Sequence, residues 1–317
     1  MVEDFRDSFT ALHRFILRVR PDIVLLHGCP GKFVALPLLF RFAGIPFLLR
    51  GDANNKRKFS VPHLLRNQTL LRLLIRQASA VIAVGSSNRS FWKRFGATDN
   101  KILFSPFCVD TEYWFAHAAK TLPRRCEIRR RLGLDDRMVV LSVGRNAYIK
   151  GFDILVKAIK QIPKTILVLV GDGASDALVE RIIEEHQLEE RVKKVPFLQQ
   201  DELAEHYAAA DVFTLMSRQE PWGLVINEAM HFGLPIVASD AVGAVDDLVK
   251  DNGFIVPAGD VDALREKLLL LQKDEELRYN MGQKSREIIS EWNIERAAEG
   301  LWEAIKFALK KVRRACL

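Results

Sequence analysis

An α/β fold with two parallel sheets is the class that this 317-residue sequence predicts, and three observations predict it. Short apolar runs of strand length alternate with helical stretches along most of the chain. Several of those runs end directly on glycine, where backbone must turn away from the carboxyl edge of a sheet. With 49% hydrophobic and 27% charged residues, the chain has material for two ordinary cores and lies far from a disordered composition.

In chain order, Phe5 to Arg20 reads as a helical opening, followed by strands at Asp22 to His27 and Pro46 to Arg50. The leucine-rich stretch His63 to Ala78 puts Leu64, Leu65, Leu71, Leu74 and Ile75 near helical spacing. That apolar side packs on the sheet or lies on a membrane; core packing is the preferred reading. Strands follow at Ala78 to Val84 and Ile102 to Phe104, and Thr121-Leu122-Pro123-Arg124-Arg125 reads as the join between halves. The second half offers strands at Met138 to Val143, Thr165 to Val170, Val192 to Val195, Val212 to Met216, Ile236 to Ser239 and Phe254 to Val256. The expected division is a domain over 1–122, a second over 123–292, and a terminal helix over 293–317. That helix carries Leu301, Ile305 and Leu309 on one side and Lys306, Lys310, Lys311, Arg313 and Arg314 largely elsewhere. No internal repeat or low-complexity tract interrupts the pattern.

Charge is distributed unevenly. Residues 1 to 125 hold 20 Lys and Arg against 8 Asp and Glu, whereas the remainder holds 27 against 32. A basic first half calls for an anionic partner, either a phospholipid surface or a phosphorylated lipid carrier. Lys56, Arg57 and Lys58, with Arg66, Arg72 and Arg76 on the leucine-rich stretch, are the candidate contacts. Nucleic acid is disfavoured, because aromatics are not interleaved with the charges as a stacking platform requires. No run of 18 uncharged apolar residues and no secretory signal is visible, so a cytoplasmic protein, peripheral on the inner face of the membrane, is expected. Cys29, Cys108, Cys126 and Cys316 lack metal-site spacing and read as reduced thiols.

The chemistry concentrates in Ser217-Arg218-Gln219-Glu220-Pro221-Trp222-Gly223-Leu224-Val225-Ile226-Asn227-Glu228-Ala229-Met230. A buried strand leads into it, so the segment reads as strand, turn and helix. A helix start presents unpaired N–H groups and the positive end of a dipole, which suits a phosphate near Gly223, Leu224 and Val225. Glu220 and Glu228 stand eight residues apart, at most about 12 Å at helical rise, roughly the length of a nucleotide-sugar diphosphate from sugar to ribose. On spacing alone, Glu220 facing a sugar and Glu228 facing a ribose is balanced by a plainer reading, a first-turn carboxylate and a solvated helix position. Pro221 and Trp222 shape the sugar pocket or brace the turn, bracing being preferred. Gly171 and Gly173 follow an apolar strand and permit close approach of backbone to a ligand. Asp176 stands where a dinucleotide fingerprint requires its third glycine, which disfavours a nicotinamide enzyme.

With Val143-Gly144-Arg145, Lys150-Gly151, Val170-Gly171-Asp172-Gly173, Gly233-Leu234-Pro235-Ile236-Val237-Ala238-Ser239 and Asn252-Gly253-Phe254 in the same order, the chain resembles the retaining glycosyltransferases of family 4. The resemblance covers most of residues 20 to 295. It implies the GT-B fold, two Rossmann-like parallel-sheet domains facing across a cleft. It also implies transfer of a hexose from a nucleotide-diphosphate sugar to a hydroxyl acceptor, lipid-linked or polysaccharide. Arg145 and Lys150 then stabilise the departing diphosphate at the end of a strand marked by Gly144, Glu220 orients the sugar and Glu228 holds the ribose. No Asp-x-Asp pair stands among these donor-site motifs, so metal-independent transfer with no cofactor is expected.

The first half departs from the family pattern. Pro21 to Gly28, Ala43 to Phe47, Ser79 to Ser86 and Val109 to Thr111 match internal elements, but the earlier strand and glycine-rich loop that open family members are not seen before them. The expectation is a first domain truncated at its N-terminus. It brings two alternatives: a catalytically impaired nucleotide-sugar-binding relative, or a GT-B sugar epimerase. Many relatives carry a histidine beside the reacting sugar where this chain has Arg50-Gly51-Asp52-Ala53-Asn54. Asp52 occupies about that place, yet a charged carboxylate is no simple substitute for a neutral imidazole.

Overall fold

The computed structural model describes residues 14–16, 18–28, 40, 43–56, 61–134 and 136–315, without the side chains of 61–68 and 311–315. The expectations for Phe5 to His13, Arg57, Lys58, the Arg66 side chain, Cys29 and Cys316 lie outside those residues. Contacts divide the chain into two compact units, residues 1–106 with 295–317, and residues 107–294.

The first unit holds a four-stranded parallel sheet in the order β1-β2-β3-β4. Its strands are β1 Val24–His27, β2 Phe47–Arg50, β3 Ala80–Ala83 and β4 Ile102–Phe104. Alternate residues of a strand point to opposite faces, and the two faces have different covers. Leu49, Val81 and Ala83 meet Leu71, Leu74 and Ile75 of the helix Val61–Gln77 on one side. Leu48, Ala80 and Ile82 meet Ala304 and Ala308 of the helix Ile294–Ala315 on the other. The leucine-rich stretch therefore packs on its own sheet. Leu73, Arg72 and Arg76 remain exposed. Close approach of the last helix depends on Gly300, where an added Cβ would lie 1.9 Å from the Phe104 carbonyl oxygen, and Ser105 Oγ donates to Ala297 O at 2.7 Å.

The second unit is a six-stranded parallel sheet in the order β10-β9-β8-β5-β6-β7. The strands are β5 Met138–Val143, β6 Thr165–Val170, β7 Val192–Val195, β8 Val212–Leu215, β9 Ile236–Ser239 and β10 Gly253–Val256. β5 and β6 are buried at every position, as central parallel strands covered on both faces must be. The chain builds outward from β5 through β6 and β7, returns to β8 on the other side, and continues through β9 and β10. The winding thus reverses between β5 and β8, and loops leaving those two strands diverge there, which is where open α/β sheets hold ligands.

The expected join at Thr121 to Arg125 lies inside the second unit, which begins at Phe107. Asp110 caps the helix Thr111–Thr121, accepting from Tyr113 N at 2.9 Å. That helix is tied to the second sheet by its aromatic side. Trp114, 1% exposed, sets its ring edge-on to Tyr207 and Phe232, and Tyr113 Oη donates to Asp201 at 2.6 Å.

Candidate functional site

Three loops converge at the carboxyl end of the second sheet. After β5, Gly144 takes φ +154° and leads into Arg145, which is exposed. After β6, Gly171 takes φ +111°, and a Cβ there would lie 2.3 Å from the Gly144 carbonyl oxygen; one on Gly173 would lie 2.5 Å from Asn146 O. These two glycines therefore let one loop backbone lie against another. The atoms that demand glycine here belong to the protein, and Gly171 also lines the cavity at these loops. Asp176 locks the same junction, accepting from Gly173 N at 2.8 Å and Asn146 Nδ2 at 2.5 Å. Those bonds, that from Gly173 foremost, hold its carboxyl below the usual aspartate value.

A cavity of about 520 Å³ opens against these loops, within the range that takes a small ligand. Gly144, Arg145, Gly171 and Asp172 line it from the strand ends, Phe197, Leu198 and Gln199 from the loop after β7, and Val225 and Glu228 from the helix Leu224–His231. Glu228 does not stand as a solvated helix position. Tyr207, fully buried on the helix Gln200–Ala209 and stacked on Phe232 with ring centroids 5.3 Å apart, donates its hydroxyl to Glu228 Oε2 at 2.7 Å. Burial pushes the Glu228 carboxyl up to about 7, and the Tyr207 hydroxyl bond opposes that rise. Sequence reasoning missed Tyr207. An aromatic residue four positions before Asp211, at the end of a helix leading into a buried strand, was the available signal.

Glu220 and Lys150 form a second cluster, and neither is among the residues that line the cavity. Lys150 Nζ pairs with Glu220 Oε2, and Ser217 Oγ donates to that oxygen at 3.4 Å. The side chains are 22% and 11% exposed, so the pair is largely withdrawn from water. The backbone around Glu220 is fixed through Glu220 N to Ala241 O at 3.2 Å and Gly243 N to Glu220 O at 3.0 Å. Arg218 braces the Lys150 loop. It grips Asp153 bidentately at 2.8 and 2.7 Å, donates to Tyr148 O at 2.6 Å and lies 3.9 Å over the Tyr148 ring.

Gly223 takes φ +98° and a Cβ would come within 2.8 Å of Leu215, so only glycine fits this helix entry. Trp222 is buried, donates through Nε1 to Asn227 Oδ1 at 3.0 Å, and contacts Phe107 and Trp292. It braces the turn. Pro221 and Leu224 are exposed. Asp260-Val261-Asp262, an Asp-x-Asp outside the donor-site motifs, is a helix cap: Asp260 accepts from Ala263 N at 2.9 Å and Asp262 pairs with Arg265. Asp52 is exposed and belongs to the first unit.

Gly151 sets the position of the Lys150 loop. It takes φ +74°, and a Cβ would lie 2.1 Å from Met216 O on the chain leaving β8. Gly151→Ala is expected to cost about 1–3 kcal/mol from the backbone conformation alone. It should also push Lys150 away from Glu220. A melting curve unchanged from the parent would show that the loop relaxes freely and that this account of Gly151 is mistaken.

A sequence profile described as Glycosyl transferases group 1 matches residues 124–288, just over half of the chain. The chain belongs to this family. In the glycosyl transferases group 1 match lie Gly144, Arg145, Lys150, Gly171, Gly173, Glu220, Trp222, Gly223 and Glu228, while Asp52 lies outside it. An alpha-D-kanosaminyltransferase of Streptomyces kanamyceticus is 33% identical over 171 residues, 52% of this chain and 44% of that protein. A GDP-mannose-dependent alpha-(1-6)-phosphatidylinositol monomannoside mannosyltransferase of Mycolicibacterium smegmatis is 31% identical over 250 residues, 75% of this chain and 64% of that one. The chain thus spans less than two thirds of the length of these relatives. Among solved structures, Anabaena Alr3699/HepE in complex with UDP superposes with a TM-score of 0.79 at 23% identity, covering 93% of this chain and 82% of the other. The GT-B likeness is one of fold.

Proposed function

We propose that this glycosyl transferases group 1 member moves a hexose from a nucleoside-diphosphate sugar to a hydroxyl acceptor, with retention at the anomeric carbon. The observation that carries the reading is Glu228, a half-buried carboxylate fixed by Tyr207 on one oxygen and open to a ligand-sized cavity beside the cationic strand end at Arg145. A carboxylate so held accepts hydrogen bonds from the paired hydroxyls of a ribose. Arg145, Lys150 and the amides at Gly223, Leu224 and Val225 take the diphosphate, bearing the charge that grows as the sugar–phosphate bond breaks. Because cations and backbone dipoles carry that charge, the transfer needs no metal and no cofactor. Glu220 orients the sugar hydroxyls, and Asp52 is the catalytic candidate that the first unit carries.

The names of relatives support the donor class, since one is described as GDP-mannose-dependent and one structural neighbour was solved both with UDP and with UDP-glucose. The basic first half and the exposed Arg72, Leu73 and Arg76 favour a lipid-linked or polysaccharide acceptor and peripheral contact with an anionic membrane.

Thermal shift against UDP, GDP and ADP and their sugars tests the donor class. A matching nucleotide at a hundredfold excess over its dissociation constant should stabilise by about 2.7 kcal/mol. No response to any of the three would reject nucleotide-sugar chemistry for this chain. With the responding donor labelled, transfer to an acceptor with retained configuration is expected; an epimer of the sugar, or binding without turnover, would displace the transferase reading.

A further inference from the structure

Arg145 is exposed on the wall of the candidate cavity, and the loop after β6 fixes its course. A Cβ on Gly171 would stand 3.6 Å from Arg145 N, and one on Gly173 would stand 3.2 Å from Arg145 Cγ. The arginine therefore runs over that loop, its backbone against the first glycine and its stem against the second. Where Gly173 sits decides where the guanidinium can reach.

Gly173 is held by Asp176, the first residue of the helix Asp176–Glu185. Asp176 Oδ2 accepts from Gly173 N at 2.8 Å, while its Oδ1 accepts from Asn146 Nδ2 at 2.5 Å. Asn146 follows Arg145 directly and is 1% exposed. Its backbone is held as well: Asn146 N donates to Asp172 O at 3.0 Å, and Ser175 N donates to Asn146 O at 3.0 Å. One carboxylate thus ties the residue after the arginine to the glycine beneath it. Because an ionised carboxylate only accepts, the amide must turn its nitrogen to Asp176, and Asn146 Oδ1 is then buried with no hydrogen-bond partner among the described residues. An unmatched buried oxygen costs stability, so holding the fold together does not account for this amide. Local rules broken in this way are characteristic of residues that set up a site. The plainer role for Asp176, a first-turn carboxylate favoured by the helix dipole, has no use for Asn146 at all.

We propose, on the reading that this cavity takes a nucleoside-diphosphate sugar, that Asp176 and Asn146 are positioning residues for the diphosphate, acting through Arg145 and touching no atom of the substrate. With both loops locked, the arginine meets the diphosphate without first having its backbone ordered, and the ordering cost saved appears as affinity. Released from Asp176, the same guanidinium is present but aimed less often.

A double-mutant cycle tests the coupling. UDP, GDP and ADP are titrated calorimetrically into the full chain as the parent, Asp176→Ala, Arg145→Ala and the double variant. Asp176→Ala should weaken the tightest-binding diphosphate about tenfold, and the double variant should bind it no more weakly than Arg145→Ala alone, because the two residues act on one contact. Asn146→Ala should show a loss similar to that of Asp176→Ala, and Arg145→Ala should absorb it in the same way. Should Asp176→Ala fold poorly by circular dichroism, Asp176→Asn takes its place in the cycle: it still accepts from Gly173 N but sets a donor against Asn146 Nδ2. Losses that add in the double variant would mean that Asp176 supports the cavity without acting through Arg145, and would overturn the proposal. Tight binding by the parent with undiminished binding by Asp176→Ala removes the positioning role alone, whereas a parent that binds none of the three diphosphates removes the donor reading and this role with it.

Discussion

Glu220→Gln is expected to lower sugar transfer by about 10²–10³-fold, the loss typical of one group that contacts the developing transition state, while tightening the binding of the nucleoside diphosphate product. The two effects have one cause. With Lys150 Nζ paired to Glu220 Oε2 in a site mostly withdrawn from water, the cation that should meet the diphosphate spends much of its field on a neighbour. A neutral amide of the same shape keeps the Ser217 contact and releases that charge. Hydrogen bonds involving charged groups are worth about 1.5–3 kcal/mol, so recovering part of one gives roughly a five- to tenfold lower dissociation constant for the responding diphosphate. Calorimetric titration and labelled-donor turnover on the same preparation check both halves. Undiminished turnover removes Glu220 from the mechanism, and weaker diphosphate binding removes Lys150 from the leaving-group site.

Glu228→Gln is expected to stabilise the folded protein above neutral pH and at the same time weaken nucleotide binding. Burial raises the Glu228 carboxyl from 4.5 to about 7 in the folded state. The native protein therefore holds this proton more tightly than the unfolded chain does. Stability that Glu228 contributes as a neutral acid is complete below the ordinary carboxylate value and is lost as pH rises to about 7, after which the deficit is constant. A shift of that size is worth on the order of 3 kcal/mol at pH 8. Glutamine accepts from Tyr207 equally well and carries no charge to desolvate. The melting temperature of Glu228→Gln should exceed the parent's by several degrees at pH 8, with the gap narrowing towards pH 4.5. Tyr207→Phe moves the other way: without the hydroxyl, ionised Glu228 is less stable, and the pH at which nucleotide binding develops should rise. A gap of equal size at pH 4.5 and pH 8 would mean that Glu228 is not the buried acid inferred here.

Much of the strand framework was legible in advance because parallel strands buried on both faces leave nearly uninterrupted apolar runs, and β5, β6 and β9 begin and end where those runs do; the edge strands β4 and β7 keep their expected bounds with partial burial. Glycine-terminated strands likewise marked the loops that form the cavity. What the sequence concealed is tertiary. The segment Thr111–Thr121 looks like the tail of the first half, and only the fit of Trp114 among Tyr207 and Phe232 assigns it to the second. Arg218 stands beside the candidate carboxylate in the sequence, but Asp153, 65 positions away, claims it. Spacing could pair Glu220 with Glu228 along the chain; it had no means of showing that Lys150 engages the first and Tyr207 the second, since both partners arrive from distant strands and helices.

The covering of Leu48, Ala80 and Ile82 by Ala304 and Ala308 has a bearing on biogenesis. Residues 107–294 form a complete unit of their own, while the partner that shields one side of the first sheet leaves the ribosome only after that entire unit has been translated. Throughout synthesis, the nascent first sheet presents a bare aliphatic surface, a natural target for holdase chaperones. Premature termination anywhere between Ile294 and Ala304 would strand the molecule in that sticky state even though residues 107–294 had already matured.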